Sequence, residues 1–240
     1  MHDYDIFAPY YDAVMGKRPN VVRLIRRHIK RHLPTAASII ELGCGTGTIL
    51  RGLAPHFQDL AGLDQSAEML EVARHKLPAA TFYQGTIASF QLDRTFDVAL
   101  CIFDTINHLT DFDNWRSMFT STREHLNPGG LFIFDLNTTS RLAQVAASPG
   151  YVQAFHRRNT FHLHASIVAL NTIEWQVLLE LPQRNGAIQV REEHVREASF
   201  PITHVQQALT DAGFKTLDLF DSDRHSPSDA SSRVYFVCQN

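Results

Sequence analysis

The segment Glu41-Leu42-Gly43-Cys44-Gly45-Thr46-Gly47 alternates glycine with other residues between an apolar run and a helical pattern. Glycine at such a turn lets the backbone approach a ligand closely, and the amides at a helix start remain free to bind polar groups. Spacing selects among ligands. A dinucleotide loop needs a further glycine at position 48 so that its helix packs beneath a pyrophosphate, and position 48 is Thr. A phosphate-cradling P-loop is excluded too, because no Lys-Ser or Lys-Thr pair follows. A nucleoside ligand without a pyrophosphate fits. Asp64 lies about 20 positions beyond Gly43, where an acidic side chain accepts hydrogen bonds from ribose hydroxyls. The same residues also suit a plain tight turn followed by a helix-capping aspartate.

A second reactive group is Cys101-Ile102-Phe103-Asp104-Thr105-Ile106-Asn107-His108, at the end of an apolar run. In open α/β sheets, ligands bind at the carboxyl ends of the strands. Histidine changes charge near neutrality, so His108 suits a general base or a group that orients an acceptor. Asp104 and Asn107 suit positioning a polar acceptor, although a capped turn without chemistry fits Asn107-His108 equally. Among the 13 histidines, His162 and His164 share one strand face with His156 nearby. Two-residue spacing can present two imidazoles to a metal, but no cysteine or third ligand accompanies them, so no metal is expected. Arg23, Arg26, Arg27, Lys30, Arg31 and His32 form a basic helix surface, for which a solvated face is the default.

The elements that must position these groups alternate. Helical patterns are expected at 21–33, 48–53, 66–77, 112–126 and 201–212, with Ser66 as N-cap and Gly213 as a left-handed cap. Strands are expected at 38–42, 59–63, 80–84, 96–103, 131–136, 214–220 and 233–238, with Asn127-Pro128-Gly129-Gly130 as a stop and turn. This alternation predicts an α/β fold with a doubly wound, mostly parallel sheet of seven strands. The rhythm breaks after Pro149-Gly150, where 155–170, 173–181 and 187–200 read as extended segments without an intervening helix. Asn185-Gly186 makes a hairpin turn between the last two. Residues 1–150 and 201–240 are therefore expected to form one Rossmann-like domain, and 151–200 an antiparallel β insertion covering the acceptor site.

Composition narrows the field. With 240 residues, 44% hydrophobic and 20% charged, the chain can bury a substantial core. A net charge of −3 offers no global field for a polyanion. No apolar run approaches the roughly 18 residues of a membrane span, and the opening Met1-His2-Asp3-Tyr4-Asp5 lacks the pattern of a secretory signal. Three cysteines in apolar surroundings suit reduced thiols in a cytoplasm.

On these motifs the chain resembles the class I S-adenosylmethionine-dependent methyltransferases of small molecules. Residues 41–47 look like the family's cofactor loop, Gly62-Leu63-Asp64-Gln65-Ser66 like its ribose-binding strand end, 96–101 like its fourth-strand motif and 126–131 like its turn before the fifth strand. The resemblance implies S-adenosylmethionine as cofactor, held by Tyr4, Tyr10, Glu41, Gly43, Cys44, Gly45, Asp64, Gln65, Met69, Gly85, Thr86, Ile87 and Cys101. There is one departure: Gly85 is followed by Thr86-Ile87 where members often place an Asp against the adenine amino group. It also implies that tyrosines near the N-terminus close over the site, while an aromatic arm packed on the sheet is the plainer reading.

The expected activity is methyl transfer to nitrogen or oxygen of a small-molecule acceptor, with His108, Asp104 and Tyr11 as catalytic candidates. Such a displacement depends on holding nucleophile, methyl and sulfur in line and dry. Alternatives are an RNA or protein methyltransferase, or a non-catalytic binding module. The chain lacks the Asn/Asp-Pro-Pro-aromatic motif of adenine amino methyltransferases and any Pro-Cys pair for cytosine-carbon chemistry, so a nucleic-acid partner is not expected.

Overall fold

The computed structural model describes residues 5–156, 158–221 and 226–240. A short α1 (Tyr11–Met15) and α2 (Pro19–His32) lead into β1 (Ser38–Leu42), α3 (Thr48–Leu53), β2 (Asp59–Asp64), α4 (Ala67–Lys76), β3 (Thr81–Gln84) and β4 (Phe96–Cys101). Then come α5 (Phe112–Glu124), β5 (Leu126–Asn137) and α6 (Thr139–Ala146). Four strands follow, β6 (Tyr151–Phe155), β7 (Asn159–Ala169), β8 (Thr172–Pro182) and β9 (Ile188–Ala198). The chain closes with α7 (Ile202–Asp211), β10 (Lys215–Asp221) and β11 (Arg233–Gln239).

The main sheet runs β10-β11-β5-β4-β1-β2-β3. Its strands from β1 to β5 pair in parallel, and β11 is antiparallel to both β5 and β10. Because side chains alternate between faces, the central strands feed two cores. On β5, Phe132 and Phe134 join Trp115 and Phe119 of α5 on one face. Leu131 and Ile133 join Ile25 and Ile29 of α2 and Leu50 of α3 on the other. Helix α2 is tied to the sheet edge by His28 Nδ1 and His32 Nε2, at 2.9 and 2.6 Å from Asp218 Oδ2. A bulge between Thr216 and Asp218 interrupts the β10 register there.

Three expectations change. The stop-and-turn at 127–130 is absorbed into β5 as an irregularity, with the β4 pairing stepping from Phe96–Leu126 to Val98–Leu131. Gly130 O accepts from Asn240 N at 2.9 Å, so the chain end satisfies the interrupted ladder. Helix α6 was not legible, because its short pattern buries only Leu142 and Val145. The extended region holds four strands in the order β6-β7-β8-β9, all antiparallel. β6 escaped notice because its residues are largely exposed and carry little alternation.

An apolar cluster of Phe7, Phe155, Phe161, Val177, Leu179 and Leu181 seats the N-terminal arm on this second sheet. Phe7 stacks on Phe161 with ring centroids 5.1 Å apart. No helix among the described residues is long and apolar enough to cross a membrane.

Candidate active site

A cleft of about 780 Å³ opens at the carboxyl edge of β1, β2 and β4, and the second sheet borders it through Phe161, Leu163, Trp175, Val177 and Glu197. Its floor is the glycine loop. Gly43, Gly45 and Gly47 all take positive φ, a region costly for other residues. At Gly43 a side chain is doubly barred, since a Cβ would lie 2.2 Å from Thr105 Cγ2. Asp64 fixes the loop to β2: its Oδ2 accepts from Gly45 N at 2.7 Å and its Oδ1 from Ser66 N at 2.9 Å. Burial raises the Asp64 carboxyl above its ordinary range, against the pull of these amides.

Thr48, the residue that departs from a dinucleotide loop, has a use of its own. Its hydroxyl donates to Asp12 Oδ1 at 3.0 Å, and Thr46 Oγ1 donates to the same oxygen at 2.7 Å. Lys76 pairs with the other Asp12 oxygen. Asp12 thus straps the N-terminal arm over the loop. Although partial burial pushes the other way, the combined Lys76, Thr46 and Thr48 bonds hold its carboxyl below the usual range.

The cleft wall beyond β4 is strained. Phe103 and Asp104 have φ of +66° and +51° in succession, conformations that non-glycine residues adopt only when their surroundings over-determine them. Buried Asp135 supplies that determination: its carboxylate accepts from Phe103 N at 2.7 Å, and Arg233 Nη1 donates to it at 2.6 Å. Burial pushes Asp135 up to about 6, against the opposing charge of Arg233. Arg233 Nη2 donates to Asp104 Oδ1 and Asn137 Nδ2 to Asp104 Oδ2, both at 2.6 Å. Asp104 lines the cleft, but both of its oxygens are engaged in this network.

Of the residues singled out from sequence, Tyr11, Glu41, Gly43, Cys44, Gly45, Asp64, Gln65, Met69, Gly85, Thr86, Ile87, Asp104 and His108 all line the cleft. Tyr4 lies outside the described residues. Two others require correction. Cys101 is fully buried in the core beneath α5, because the alternation of β4 turns its side chain away from the cleft. Tyr10 packs against Phe155, centroids 5.8 Å apart, in the cluster that seats the arm. Asn107 is spent on the backbone, donating to Asn137 O at 3.0 Å and Ala198 O at 2.8 Å, and so joins the two sheets. His162 Nε2 lies 3.4 Å from Glu180 Oε2.

Sequence reasoning missed Arg18, Trp175, Glu197, Arg233 and Tyr235, all of which line the cleft. A usable hint existed for Glu197: on β9 the inward positions read Glu193, Val195, Glu197, placing acids where a strand ordinarily buries apolar side chains. Arg23, Arg26, Arg27 and Lys30 border a separate groove with His56 and Phe57 and do not reach the cleft.

The donor set fits S-adenosylmethionine. Glu41, only 4% exposed, presents Oε2 without a hydrogen-bond partner among the described residues, and burial pushes its carboxyl up to about 8. A ligand that brings an ammonium and a sulfonium would relieve this orphaned acid and the neighbouring Asp64. The open face at Gly43 and Gly45, with buried Met69 and Ile87 near Gly85, matches a flat apolar base joined to a sugar.

Comparison with known proteins agrees. Residues 39–130 match a family described as Methyltransferase domain. A dTDP-3-amino-3,6-dideoxy-alpha-D-glucopyranose N,N-dimethyltransferase of Streptomyces fradiae is 34% identical over 77% of this chain and 72% of its own. Among solved structures, an S-adenosylmethionine-dependent methyltransferase of Clostridium acetobutylicum superposes with a TM-score of 0.86 at 20% identity, covering 99% of both chains. The sugar N-methyltransferase KedS8 of a Streptoalloteichus species superposes with a TM-score of 0.83 at 22% identity, covering 98% of this chain and 92% of that one.

Proposed function

We propose, for a chain that belongs to the class I S-adenosylmethionine-dependent methyltransferases, transfer of a methyl group to nitrogen or oxygen of a small-molecule acceptor in the cytoplasm. The observation that carries this reading is the single cleft with two unlike halves. One half, from Glu41 to Ile87, offers backbone and a buried acid; the other, around Asp104 and His108, offers polar side chains under the second sheet.

When bound, S-adenosylmethionine supplies an activated methyl carbon on a positively charged sulfur. Glu41 would accept hydrogen bonds from its amino group, and Asp64 and Gln65 from its ribose. Gly43, Cys44 and Gly45 allow the close backbone approach. Met69 and Ile87 pack the base beside Gly85 and Thr86, whose hydroxyl already accepts from Ala88 N at 3.1 Å. In the other half, Tyr11 and His108 orient the acceptor, while Asp104 holds the wall in place through Arg233. Burial and the charge of Asp104 keep the Tyr11 phenol protonated well beyond neutral pH, so it acts as a donor. The apolar wall of Phe161, Leu163 and Val177 excludes water, which favours an in-line displacement.

A small acceptor is supported by the Streptomyces fradiae relative, which is named for an amino sugar nucleotide. The basic α2 surface belongs to another groove, which gives no support to a nucleic-acid acceptor. Three buried free cysteines suit the reducing cytoplasm. Calorimetry with S-adenosylmethionine tests the first half, and release of S-adenosylhomocysteine with a panel of amines and alcohols tests the second. Binding without any release would leave a cofactor-binding module; no binding would end the reading.

A further inference from the structure

Glu197 occupies the inward face of β9 and is 4% exposed. Trp175 Nε1 on β8 donates to its Oε1 at 2.8 Å, fixing the carboxylate plane. Its Oε2 has no hydrogen-bond partner among the described residues, yet the residue lines the cleft. The Asn137 amide, which also lies near, donates at 2.6 Å to Asp104. A buried carboxylate oxygen left in this way is costly unless a ligand completes it. Its surroundings define the missing partner. Phe161, Leu163 and Val177 supply an apolar wall, and Asp104 and His108 face the same space from beyond β4. The guanidinium of Arg233 is committed to Asp104 and Asp135 and does not neutralise Glu197.

We infer that Glu197 is the acceptor-binding carboxylate of this cleft, and that it selects an amine, entering as an ammonium, over a hydroxyl. This rests on the methyltransferase reading and narrows its acceptor to nitrogen. The ammonium donates to Oε2 and then gives up one proton, so that R–NH3+ and the carboxylate become R–NH2 and the neutral acid. The freed nitrogen lone pair forms the bond to the methyl carbon as the carbon–sulfur bond breaks and its electron pair returns to sulfur. The product leaves as a methylammonium, and the Glu197 proton passes to water. A hydroxyl acceptor lacks the cationic head that makes this exchange favourable.

Burial and the charge of Asp104 push Glu197 up to about 7, against the opposing pull of His108 and of the Trp175 and Asn137 side chains. Tryptophan fluorescence of the wild type should therefore titrate near neutral pH through the Trp175 contact, and E197Q should abolish that inflection. An inflection unchanged in E197Q, or none in the wild type, would overturn the assignment without any acceptor in hand. With dTDP-3-amino-3,6-dideoxy-α-D-glucopyranose, its 3-hydroxy congener and a panel of matched amines and alcohols as probes, the wild type should methylate amines only. E197Q should lose at least about 100-fold in kcat/KM while its S-adenosylmethionine affinity stays within about twofold. E197D should recover part of the rate. Methylation of alcohols as fast as amines, or E197Q within threefold of wild type, refutes the inference and leaves the methyltransferase reading intact. Absence of S-adenosylmethionine binding refutes that reading instead.

Discussion

The two halves of the cleft are assembled from different material. The proposed cofactor half comes from residues 41 to 87, near neighbours in sequence, and lines the cleft with backbone at Gly43 to Gly45 and Gly85 beside the side chains of Glu41, Asp64, Gln65, Met69 and Ile87. The proposed acceptor half gathers Tyr11, Asp104, His108, Trp175, Glu197 and Arg233 from across the chain and presents their side chains to the cleft. The backbone share of the first half tolerates little change in conformation. A side-chain site depends on a scaffold that holds buried charge, here the Asp104–Arg233–Asp135 network. The first kind of site suits an invariant ligand, and the second can be re-cut for different acceptors.

The sharpest way to break this contrast is Arg233→Met. Removing the cation leaves Asp135 buried and uncompensated, so about 3–5 kcal/mol of stability should be lost, and urea unfolding would measure it. A loss below about 1 kcal/mol would show that the acceptor half does not depend on its charges. On the cofactor side, Asp64→Ala removes the bonds to Gly45 and Ser66 as well as the expected ribose contact. Affinity for S-adenosylmethionine should fall by roughly 10- to 100-fold, or about 1.5–3 kcal/mol, by calorimetry. Gly43→Ala should cost on the order of 2 kcal/mol through its positive φ and the Thr105 clash. Adding Thr105→Ala should restore part of that in a thermal melt, because only the steric share is removed; no recovery would assign the whole effect to φ.

The strap between the halves gives the smallest effect. Asp12 has a depressed pKa in the folded chain, so its contribution is complete above the unfolded carboxylate value. It is lost as pH falls through the lower, folded one. The KM for S-adenosylmethionine should rise on that acid side, and Asp12→Asn should bring the rise to neutral pH. Because the group is part-exposed, the change should not exceed about fivefold. Steady-state kinetics across pH would register it, and a KM in Asp12→Asn equal to wild type would remove the strap from the account.

Legibility followed the same division. The glycine loop, Asp64 and the apolar β4 could be read because each signal lies within a few residues of chain. Cys101 and Tyr10 could not be placed, since whether a strand-end or arm residue faces cleft or core is a matter of phase and packing. The acid at 197 shares the inward face of β9 with Glu193 and Val195, a hint of buried charge that does not say which acid reaches the cleft. Arg233 looked like an ordinary strand start until β11 was laid antiparallel beside β5, opposite Asn137.

The amino-acid order alone therefore determined the α/β alternation, the glycine turn after β1 and the acid at the end of β2 that fixes it, because backbone conformation and helix capping are decided by neighbours. Tertiary structure alone decided which distant side chains line the other half of the cleft. Buried charges are tolerated only where partners from distant strands meet them, and that meeting exists only after the sheets have formed.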